Sequence, residues 1–597
     1  MNNKNITPAH VVIDGQKGAL QKVTKSRLQA AALIFTCLYV IVALRLYNIT
    51  MMASFEEPKI ETVRNSHETL EQLHYGRADI LDRNGILVAT TLPVSSAYVD
   101  PKLVADPSKL AYQLSQIIPD LDYADLKSRL SRQTRFVWIK RGLTPTQHKQ
   151  INAIGDPSIN FQKETRRFYP HGALLSHIIG AVNIDGKGQA GLEHSLNNTL
   201  SQSTTPLTIS IDIRFQYAAQ KALQKSINKF DAIGGVAIIA DVKTGALLAA
   251  VSAPDFDPHH FGQSTGNQTF SRFNNGVYEM GSTFKIFSTA AYLEEKGNKT
   301  SDIFDATEAL KVGRFQINDF HAQEREMSVA DIFLHSSNIG TALMAQDIGT
   351  EKLKNTYRDL GFFSASQTRA LNSAQPLTPR VWREANTVTA SYGHGIAVTP
   401  LHLMDAFVTS ISDGTSKKTH ILTPKHNKNS IETRYFQPAT TDIIRRLLRL
   451  GVTHGTGQFA DLEGYQIGGK TGTSEKIGAQ GYDKDKLISS FIAAFPMHDP
   501  QYAIYVMVDE PKGREDTYGY ATGGWVAAPV IREIAKDIAA IMAMPPITGG
   551  EETDNAFIAP LMPYVKDKER KKIAAFLRRG QTDFIPRFID FRKGESQ

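Results

Sequence analysis

One uncharged, apolar segment near the N-terminus, residues 28–44, constrains the chain most, because it decides on which side of a membrane the rest folds. The segment reads LQAAALIFTCLYVIVAL and lies between Arg27 and Arg45. As a helix it would be about 25 Å long, which is enough to span a bilayer core once the next five residues are added. The sequence therefore predicts one N-terminal transmembrane helix over residues 28–49.

The charges before this segment predict its orientation. Five lysine or arginine residues and a single acid, Asp14, precede it. Because such a basic excess marks the cytoplasmic side, residues 1–27 are predicted to be a cytoplasmic tail, and everything after residue 49 lies across the membrane. A cleaved signal peptide is the alternative, but the apolar stretch exceeds the usual signal core and no clear small-x-small cleavage site follows it.

Composition excludes several kinds of site in the exported part. The only cysteine, Cys37, lies inside the apolar segment, so no thiol remains for a disulfide, a metal site or a nucleophile. The 67 Lys and Arg residues against 60 Asp and Glu residues give a net charge of +7. Over 597 residues this is an ordinary solvated surface and gives no reason to expect a nucleic-acid partner.

The length predicts two or three domains. After a polar stalk at residues 55–75, Arg77–Ala89 places apolar residues on either side of Arg83-Asn84-Gly85, which predicts a β-hairpin. Short strands and helices alternate from there without a clear nucleophile cluster. Residues 50–205 are therefore interpreted as a support or recognition domain.

Residues 206–545 predict a larger α/β (α+β) domain in which helices flank a mixed sheet. The predicted elements are helices over 213–230 and 526–542 and strands over 236–240, 246–251, 489–495 and 502–508. Residues 546–597 differ in composition, carry a charged segment and are interpreted as a C-terminal tail without an assigned role.

Three short motifs follow one another inside the larger predicted domain. They are Ser282-Thr283-Phe284-Lys285, Ser336-Ser337-Asn338 and Lys470-Thr471-Gly472-Thr473. A single match is weak evidence, since Ser226-Ile227-Asn228-Lys229 and Lys243-Thr244-Gly245 fit the first and third patterns alone. Those two are interpreted as part of a surface helix and as a hairpin turn. The ordered series, in contrast, indicates an acyl-transfer site.

Ser282 and Lys285 have the spacing of a nucleophile and its base. Gly281 can end a turn and residues 284–293 favour a helix, so Ser282 is predicted at a helix N-terminus, where amide dipoles favour negative charge. Lys285 lies three residues on, on the same helix face, and can reach the hydroxyl. No His adjoins Ser282, so the base would be a neutral lysine whose pKa is lowered by burial and by a second cation, Lys470.

The middle motif supplies groups that move protons and bind substrate. The Ser336 hydroxyl both donates and accepts, so it can relay a proton to a leaving amine. The Asn338 side chain can donate to a substrate amide and accept from Lys285. Each of these roles requires the side chains to meet in the folded chain.

The third motif predicts where a substrate lies. Lys470 follows Gly468-Gly469 and is predicted to belong to an edge strand with little side-chain bulk. Gly472 lets a substrate backbone come close, and the hydroxyls of Thr471 and Thr473 can bind a carboxylate. The residues alone thus predict a serine acyltransferase or hydrolase for an extended peptide with a free carboxylate, using no metal and no cofactor.

The three motifs together resemble the signature of the penicillin-binding serine acyltransferases. Ser336 follows Ser282 by 54 positions and Lys470 follows Asn338 by 132, spacings similar to those of transpeptidase domains in that family. One departure is visible, because Met280 precedes the Gly-Ser pair where many relatives have proline. That change removes no reacting group.

The resemblance extends over nearly the whole exported chain. Arg77–Ala89, Arg167-Phe168-Tyr169-Pro170 and Gly191-Leu192-Glu193 are similar to the pedestal motifs of class B penicillin-binding proteins. The segment from Tyr392 to Leu401 and the overall length resemble the division-specific FtsI type more than the elongation enzyme. This implies a serine penicillin-binding transpeptidase domain at 206–545, preceded by an elongated pedestal (dimerisation-type) domain at 50–205.

The resemblance also implies a reaction and its residues. Ser282 would attack the penultimate D-alanine carbonyl of a peptidoglycan stem peptide, and an amine of a neighbouring stem peptide would resolve the acyl-enzyme. Lys285 would be the base, Ser336 and Asn338 would assist proton transfer and substrate binding, and Lys470 would set the electrostatics. Thr471, Gly472 and Thr473 would bind substrate, and the backbone N–H groups of Ser282 and Thr473 would form the oxyanion hole. β-Lactam antibiotics would acylate the serine.

The implied setting is the inner (cytoplasmic) membrane at the division septum, with the catalytic domain in the periplasm. The implied partners are a glycosyltransferase of the FtsW type and other division proteins. Three alternatives stay open: an elongation-type transpeptidase, a hydrolase that uses water as acceptor, such as a β-lactamase or a D,D-carboxypeptidase, and a catalytically silent penicillin-binding scaffold or sensor. The complete set of reactive residues argues against the silent scaffold.

Overall fold

The computed structural model describes most of the chain. The described residues are 17–47 and 76–566, apart from 314, 367, 369, 423–432 and 479–480. The predicted polar stalk, the first sixteen residues and the charged end of the C-terminal tail lie outside them. Contacts divide the chain into two compact units, Met1–His74 and Tyr75–Gln597.

The described part of the first unit is a helix. This helix, α1, spans Lys17–Tyr47 and includes the apolar segment at residues 28–44. The side chains of residues 31–45 are exposed along it. Within the described ranges, no helix combines the length and the apolarity that crossing a membrane requires. The transmembrane helix is therefore not confirmed and stays a prediction.

The second unit begins with a small sheet packed against short helices. Its strands are β1 (Ile80–Leu81), β2 (Leu87–Val99), β3 (Val137–Leu143), β4 (Ile159–Phe168) and β5 (Leu207–Thr208). The helices are α2 (Pro107–Ile117), α3 (Tyr123–Leu130), α4 (Pro145–Asn152), α5 (Ser176–Ile179), α6 (Gly191–Ser195) and α7 (Asn197–Gln202). β2 pairs antiparallel with β1, β3 and β4, and β1 pairs in parallel with β5. The predicted hairpin at Arg77–Ala89 is confirmed as β1 and the start of β2.

A buried ion network ties three distant segments of this region together. Glu193 is fully buried, and its carboxylate accepts from Nε of Arg77 and, at 2.7 Å, from Nε of Arg167. Because a buried charge is costly unless it is paired, these side chains require one another. They belong to the three segments that resemble pedestal motifs, and the structure brings those segments together.

A larger domain follows, built on a second sheet with helices around it. Its strands are β6 (Gly234–Asp241), β7 (Leu247–Ala253), β8 (Tyr278–Glu279), β9 (Ile303–Asp305), β10 (Leu310–Val312), β11 (Phe315–Ile317), β12 (Glu326–Ser328), β13 (Ala397–Val398), β14 (Gly468–Gly478), β15 (Gly481–Phe495) and β16 (Tyr502–Asp509). The helices are α8 (Ile213–Lys229), α9 (Gly266–Thr269), α10 (Lys285–Glu295), α11 (Val329–His335), α12 (Asn338–Ile348), α13 (Thr350–Asp359), α14 (Glu384–Ser391), α15 (Pro400–Ile411), α16 (Pro438–Thr453), α17 (Gly523–Val526), α18 (Ala528–Ile541) and α19 (Gly550–Ile558).

The main sheet of this domain has the strand order β14–β15–β16–β6–β7. All four pairings are antiparallel. Three of the connections are short turns, which join antiparallel neighbours, whereas a parallel pair needs a long crossover. The predicted sheet with flanking helices is confirmed, but the mixture of strand directions expected there occurs in the small sheet, between β1 and β5.

Helices cover both faces of the main sheet. Side chains alternate along β6, so Val236 and Ile238 pack into one apolar cluster while Ala237 and Ile239 pack into another. The first cluster contains residues of α10, α15 and α16, and the second contains residues of α8 and α18. The first cluster also includes Ile80 of the small sheet, so the core is continuous between the two sheets.

The beginning of the predicted C-terminal tail folds back onto the larger domain. The fully buried guanidinium of Arg449, in α16, pairs with Asp461 at 2.7 Å and with Asp554 of α19. Tyr564 follows α19, and its carbonyl oxygen accepts from the hydroxyl of Ser328 at 2.7 Å. Ser328 is the N-cap of α11, so the returning segment contacts the start of a helix whose other end lies at the site described next.

Candidate active site

Ser282 lies in a single 3-10 turn, Gly281–Phe284, that continues directly into α10. Gly281 has φ 54°, and a Cβ atom there would meet the carbonyl oxygen of Thr473 at 2.7 Å. Only glycine therefore lets the turn lie this close to β14. Ser282 is partly buried, and Lys285, one turn on, is 1% exposed. The predicted position of Ser282 at the start of a helix is confirmed.

The Ser336–Asn338 turn joins two helices beside this lysine. Ser336 ends α11 with φ 55°, a left-handed conformation that costs a residue with a Cβ atom about 1–2 kcal/mol. Ser337 caps α12, because its hydroxyl accepts from the N–H of Gly340 at 2.9 Å. The unusual backbone of Ser336 presents both its carbonyl and its hydroxyl to Lys285.

Three oxygen atoms of that turn surround the amine of Lys285. Its Nζ donates to the carbonyl oxygen of Ser336, to Oγ of Ser336 at 3.1 Å and to Oδ1 of Asn338 at 2.7 Å. Burial, and next the charge of Lys470, hold the pKa of Lys285 well below its ordinary value, and Asp319 opposes them. Those two causes are the ones predicted from the sequence. Among the described residues, no hydrogen bond joins Lys285 to Ser282, so the predicted contact between them stays a prediction.

Lys470 reaches the same hydroxyl from β14. It is 3% exposed, its Nζ donates to Oγ of Ser336 at 2.8 Å, and it lies 6.0 Å from the ring centre of Phe333. Burial lowers the pKa of Lys470 to about 7. Because a hydroxyl donates one hydrogen bond and accepts two, Ser336 can accept from one amine while it donates to the other. The arrangement is a path for a proton between the two lysines.

The strand that carries Lys470 forms the outer edge of the main sheet, as predicted. Side chains alternate along a strand, so Lys470 and Gly472 share one face of β14. A Cβ atom at Gly472 would meet the carbonyl oxygen of Met280 at 2.8 Å. The close approach that the sequence predicted for a substrate backbone is therefore made, on this face, by the chain itself.

Thr471 and Thr473 share the opposite face of β14 and differ in what their hydroxyls contact. Oγ1 of Thr471 shares a hydrogen bond with Oγ1 of Thr456 at 2.7 Å, and Thr471 is 8% exposed. Oγ1 of Thr473 accepts from the N–H of Gly523 at 3.1 Å, so its own O–H can still donate. Thr473 is the better placed of the two to bind a carboxylate.

Sequence reasoning missed Asp319, which lies just after β11. Its carboxylate accepts from the hydroxyl of Ser337 at 2.6 Å, from the N–H of Asn338 and from the N–H of Ile339 at 3.0 Å. It also acts on Lys285 through its charge. No spacing rule connects Asp319 to the three motifs, so nothing in the sequence marks it.

A second polar cluster surrounds Glu279 at the entrance to the serine turn. Its carboxylate accepts from the N–H of Gly395 at 2.9 Å and from the hydroxyl of Tyr482 at 3.0 Å, and it lies 3.5 Å from Nδ1 of His394. Burial raises the pKa of Glu279, whereas burial and then Lys285 lower that of His394. Two of these residues lie in the 392–401 segment, whose sequence indicates only the family resemblance.

The two look-alike motifs are not part of this site. Ser226 lies on α8 as predicted, but it faces the interior rather than the surface, and its hydroxyl donates to the carbonyl oxygen of Val526 at 3.1 Å. Lys243-Thr244-Gly245 forms the turn between β6 and β7, as predicted. In the part of the chain that the structure describes, no three His, Cys, Asp or Glu side chains group as metal ligands.

Comparison with known proteins agrees with this geometry. The family described as the penicillin binding protein transpeptidase domain matches residues 235–536, and the penicillin-binding protein dimerisation domain matches residues 74–205. The chain is 34% identical over 481 residues to the probable peptidoglycan D,D-transpeptidase FtsI of Caulobacter vibrioides, covering 78% of this chain and 82% of that protein.

Other relatives and one solved structure extend the comparison. The peptidoglycan D,D-transpeptidase FtsI of Escherichia coli is 26% identical over 521 residues, which are 81% of this chain and 87% of that protein. A crystal structure of a peptidoglycan synthetase from Bifidobacterium adolescentis superposes with a TM-score of 0.62 at 21% identity, covering 79% of this chain and 96% of that one. At 21% identity, this structural similarity shows the fold alone.

Proposed function

This chain belongs to the penicillin-binding protein transpeptidase family, in its class B group of the FtsI type, and is a peptidoglycan D,D-transpeptidase; we propose that it cross-links stem peptides at the division septum through an acyl intermediate on Ser282. The observation that carries the assignment to Ser282 is the convergence of the three motifs. The Ser336 hydroxyl bridges Lys285 and Lys470, and the Ser282 turn packs against β14. None of the reacting groups needs a metal or a cofactor.

In the first step Ser282 is the nucleophile and Lys285 the base. The serine oxygen bonds to the carbonyl carbon of the penultimate D-alanine while its proton passes to the neutral amine of Lys285. The C–N bond to the terminal D-alanine then breaks, and the departing amine takes a proton that arrives through the Ser336 hydroxyl. The low pKa of Lys285 supports this role, because a protonated lysine cannot accept the proton.

In the second step the amine of a neighbouring stem peptide attacks the acyl-serine. A C–N bond forms, the ester bond to Ser282 breaks, and the proton lost by the amine returns to the serine oxygen. The backbone N–H groups of Ser282 and Thr473 are proposed to bind the carbonyl oxygen in both steps. The O–H of Thr473 is proposed to bind the terminal carboxylate of the donor, together with Thr471, while Gly472 keeps the strand narrow and Asn338 binds the peptide amide.

Covalent labelling with fluorescent penicillin tests the assignment of the nucleophile. The folded protein is expected to be labelled, and Ser282→Ala is expected to abolish labelling, because a β-lactam mimics the acyl donor. Ser226→Ala is the matched control, since that serine has the same local spacing to a lysine but is buried on α8 in contact with Val526. Labelling that survives Ser282→Ala would sink the proposal.

The septal role, the membrane anchor and the partners are proposed on the family type and on the apolar segment at residues 28–44. The proposed organisation is a cytoplasmic tail (1–27), an anchor (28–49), a pedestal (50–205), the transpeptidase domain (206–545) and a tail (546–597). The catalytic domain would lie in the periplasm, next to a glycosyltransferase of the FtsW type and other division proteins. Depletion in cells should give filaments, whereas rounding would point to cell elongation instead.

A further inference from the structure

Asp319 accepts three hydrogen bonds from the middle motif and the residue that follows it. Its Oδ2 accepts from the Ser337 hydroxyl at 2.6 Å, and its Oδ1 accepts from the N–H groups of Asn338 and Ile339. These are the first backbone amides of α12, so the carboxylate also lies at the positive end of that helix. One side chain thus holds the residues that follow Ser336.

We propose that Asp319 is a positioning residue of the acyl-transfer site: its carboxylate fixes the Ser336–Asn338 turn against Lys285 and supplies the negative charge that faces this buried amine. The inference rests on the proposed acylation of Ser282. It adds a residue that touches neither the nucleophile nor the substrate and acts through the groups that do.

The Asn338 amide is held in one orientation. Its Nδ2 donates to the carbonyl oxygen of Asn318 at 2.9 Å, so its Oδ1 must be the atom that faces Lys285. Asn318 and Asp319 therefore hold the side chain and the backbone of Asn338 at once. Ser336, two residues before Asn338, has a left-handed backbone conformation, which persists only where the surrounding structure enforces it. Asp319 supplies that enforcement on one side of Ser336.

The charge of Asp319 also acts on Lys285. In the described part of the chain, the charged groups that act on Lys285 are Lys470 and Asp319, and His394 is affected by the charge of Lys285. Lys470 favours the neutral form of Lys285, and Asp319 is the member of this set that favours the ammonium form. Removing the negative charge should therefore lower the pKa of Lys285 further. The acid limb of the acylation rate, set by protonation of the base, should then move to lower pH.

The test compares acylation by fluorescent penicillin, as a function of pH, in the full chain and in Asp319→Asn. Asparagine keeps an oxygen for the two backbone N–H groups but has no charge. We expect the acid limb to move down by about one pH unit, the shift produced by losing one close charge interaction. The alkaline limb, which we assign to Lys470, should not move, because burial rather than Asp319 sets the pKa of that lysine.

A second variant separates position from charge. Asp319→Ala removes the acceptors as well, so acylation at the pH optimum should fall by about a hundredfold, as a displacement of about 1 Å in a catalytic group does. Asp305→Asn is the matched control, since that exposed carboxylate lies on β9, which pairs with β12 rather than with β11, and accepts from the N–H of Thr307. Its pH profile should equal that of the unaltered chain.

Two outcomes overturn the inference. One is an acid limb in Asp319→Asn that coincides with that of the unaltered chain, and the other is a folded Asp319→Ala that is acylated at the normal rate. Failure of the underlying function is recognised separately, because labelling would then persist in Ser282→Ala whatever residue occupies position 319. Circular dichroism and thermal unfolding identify a variant that has merely lost its fold.

Discussion

Two clusters in the second unit bury side chains that carry charge in water, and they accommodate them in opposite ways. In the pedestal, Arg77 and Arg167 both bind the carboxylate of Glu193, so the charges are retained and paired. In the active site, Lys285 and Lys470 both bind the hydroxyl of Ser336, and burial lowers the pKa of each amine. The first arrangement keeps its charges paired, and the second favours the neutral amine that the proposed base requires.

The residue types explain the difference. A guanidinium group stays charged when it is buried and its planar fork suits a carboxylate, whereas an amine loses its proton readily once it is removed from water. Exchanging the two kinds of cation would therefore harm both places. An arginine at position 285 would stay protonated, and a lysine at position 77 would lose the second donor group that the backbone of Glu193 uses.

The largest expected effect comes from removing the amine of Lys285 in the active site. Lys285→Met keeps the length of the side chain but removes the base, so acylation by penicillin should fall by about a thousandfold or more. The melting temperature should change little by comparison, because a costly buried amine is removed together with its hydrogen bonds. Stopped-flow or gel-based labelling measures the first quantity and calorimetry the second. A loss of acylation that merely tracks a loss of folded protein would contradict the assignment.

The next largest effect comes from removing the carboxylate of Glu193 in the pedestal. Glu193→Gln leaves two buried guanidinium groups without a carboxylate, which should lower the free energy of unfolding by about 3–5 kcal/mol. Molecules that remain folded should still be acylated, because the pedestal cluster holds none of the reacting groups. Denaturant unfolding and labelling of the folded fraction measure the two effects. Equal stability with lost labelling would reverse the roles given to the clusters.

A third, smaller effect is the pH dependence of stability that Lys470 causes. The folded-state pKa of Lys470 is about 7, below its value in the unfolded chain, so above pH 7 the unfolded state binds more protons and stability rises with pH. The slope contributed by this lysine should approach about 1.4 kcal/mol per pH unit. Lys470→Met should remove that part of the slope and leave the contribution of Lys285, whose pKa is also lowered, and melting temperatures from about pH 7 to about pH 9 would reveal the difference. An unchanged slope in the variant would mean that Lys470 does not contribute to it.

The smallest effect provides the baseline. Lys243, in the look-alike turn, pairs with Asp499 at 3.0 Å while both side chains are more than half exposed. Such pairs contribute about 0–1 kcal/mol, so Lys243→Met should leave both the stability and the labelling almost unchanged. A large effect there would show that exposure does not separate this lysine from the two buried ones.

Much of the site follows from the sequence because short-range chemistry dictates it. The start of a helix at Ser282, the edge strand at Lys470 and the hairpin at Arg77–Ala89 depend on local spacing, turn residues and alternation, and all three are confirmed. The direction of the Lys285 pKa was also predictable, since a lysine base has to be buried near another cation to work at neutral pH.

Other features depend on contacts between residues far apart in the chain. Asp319, the Glu279 cluster and the return of residues 550–564 onto α11 and α16 have no periodic signal, because they are set by where separate segments meet. The strand directions were misplaced for a related reason, since single strands do not reveal their partners. The hydroxyl of Thr471, predicted to bind substrate, is shared with Thr456, whose position no motif indicates.

The glycine contacts behind Ser282 limit how this protein can evolve resistance to antibiotics. A methyl group at Gly393 would lie 2.2 Å from the carbonyl oxygen of Gly281, so even alanine there would displace the serine turn. Substitutions at Gly281 or Gly393 are therefore not expected to slow β-lactam acylation while preserving cross-linking. Mutations that have this effect should accumulate instead at the accessible rim, where Tyr482 is 47% exposed and the side chain of His394 is 32% exposed.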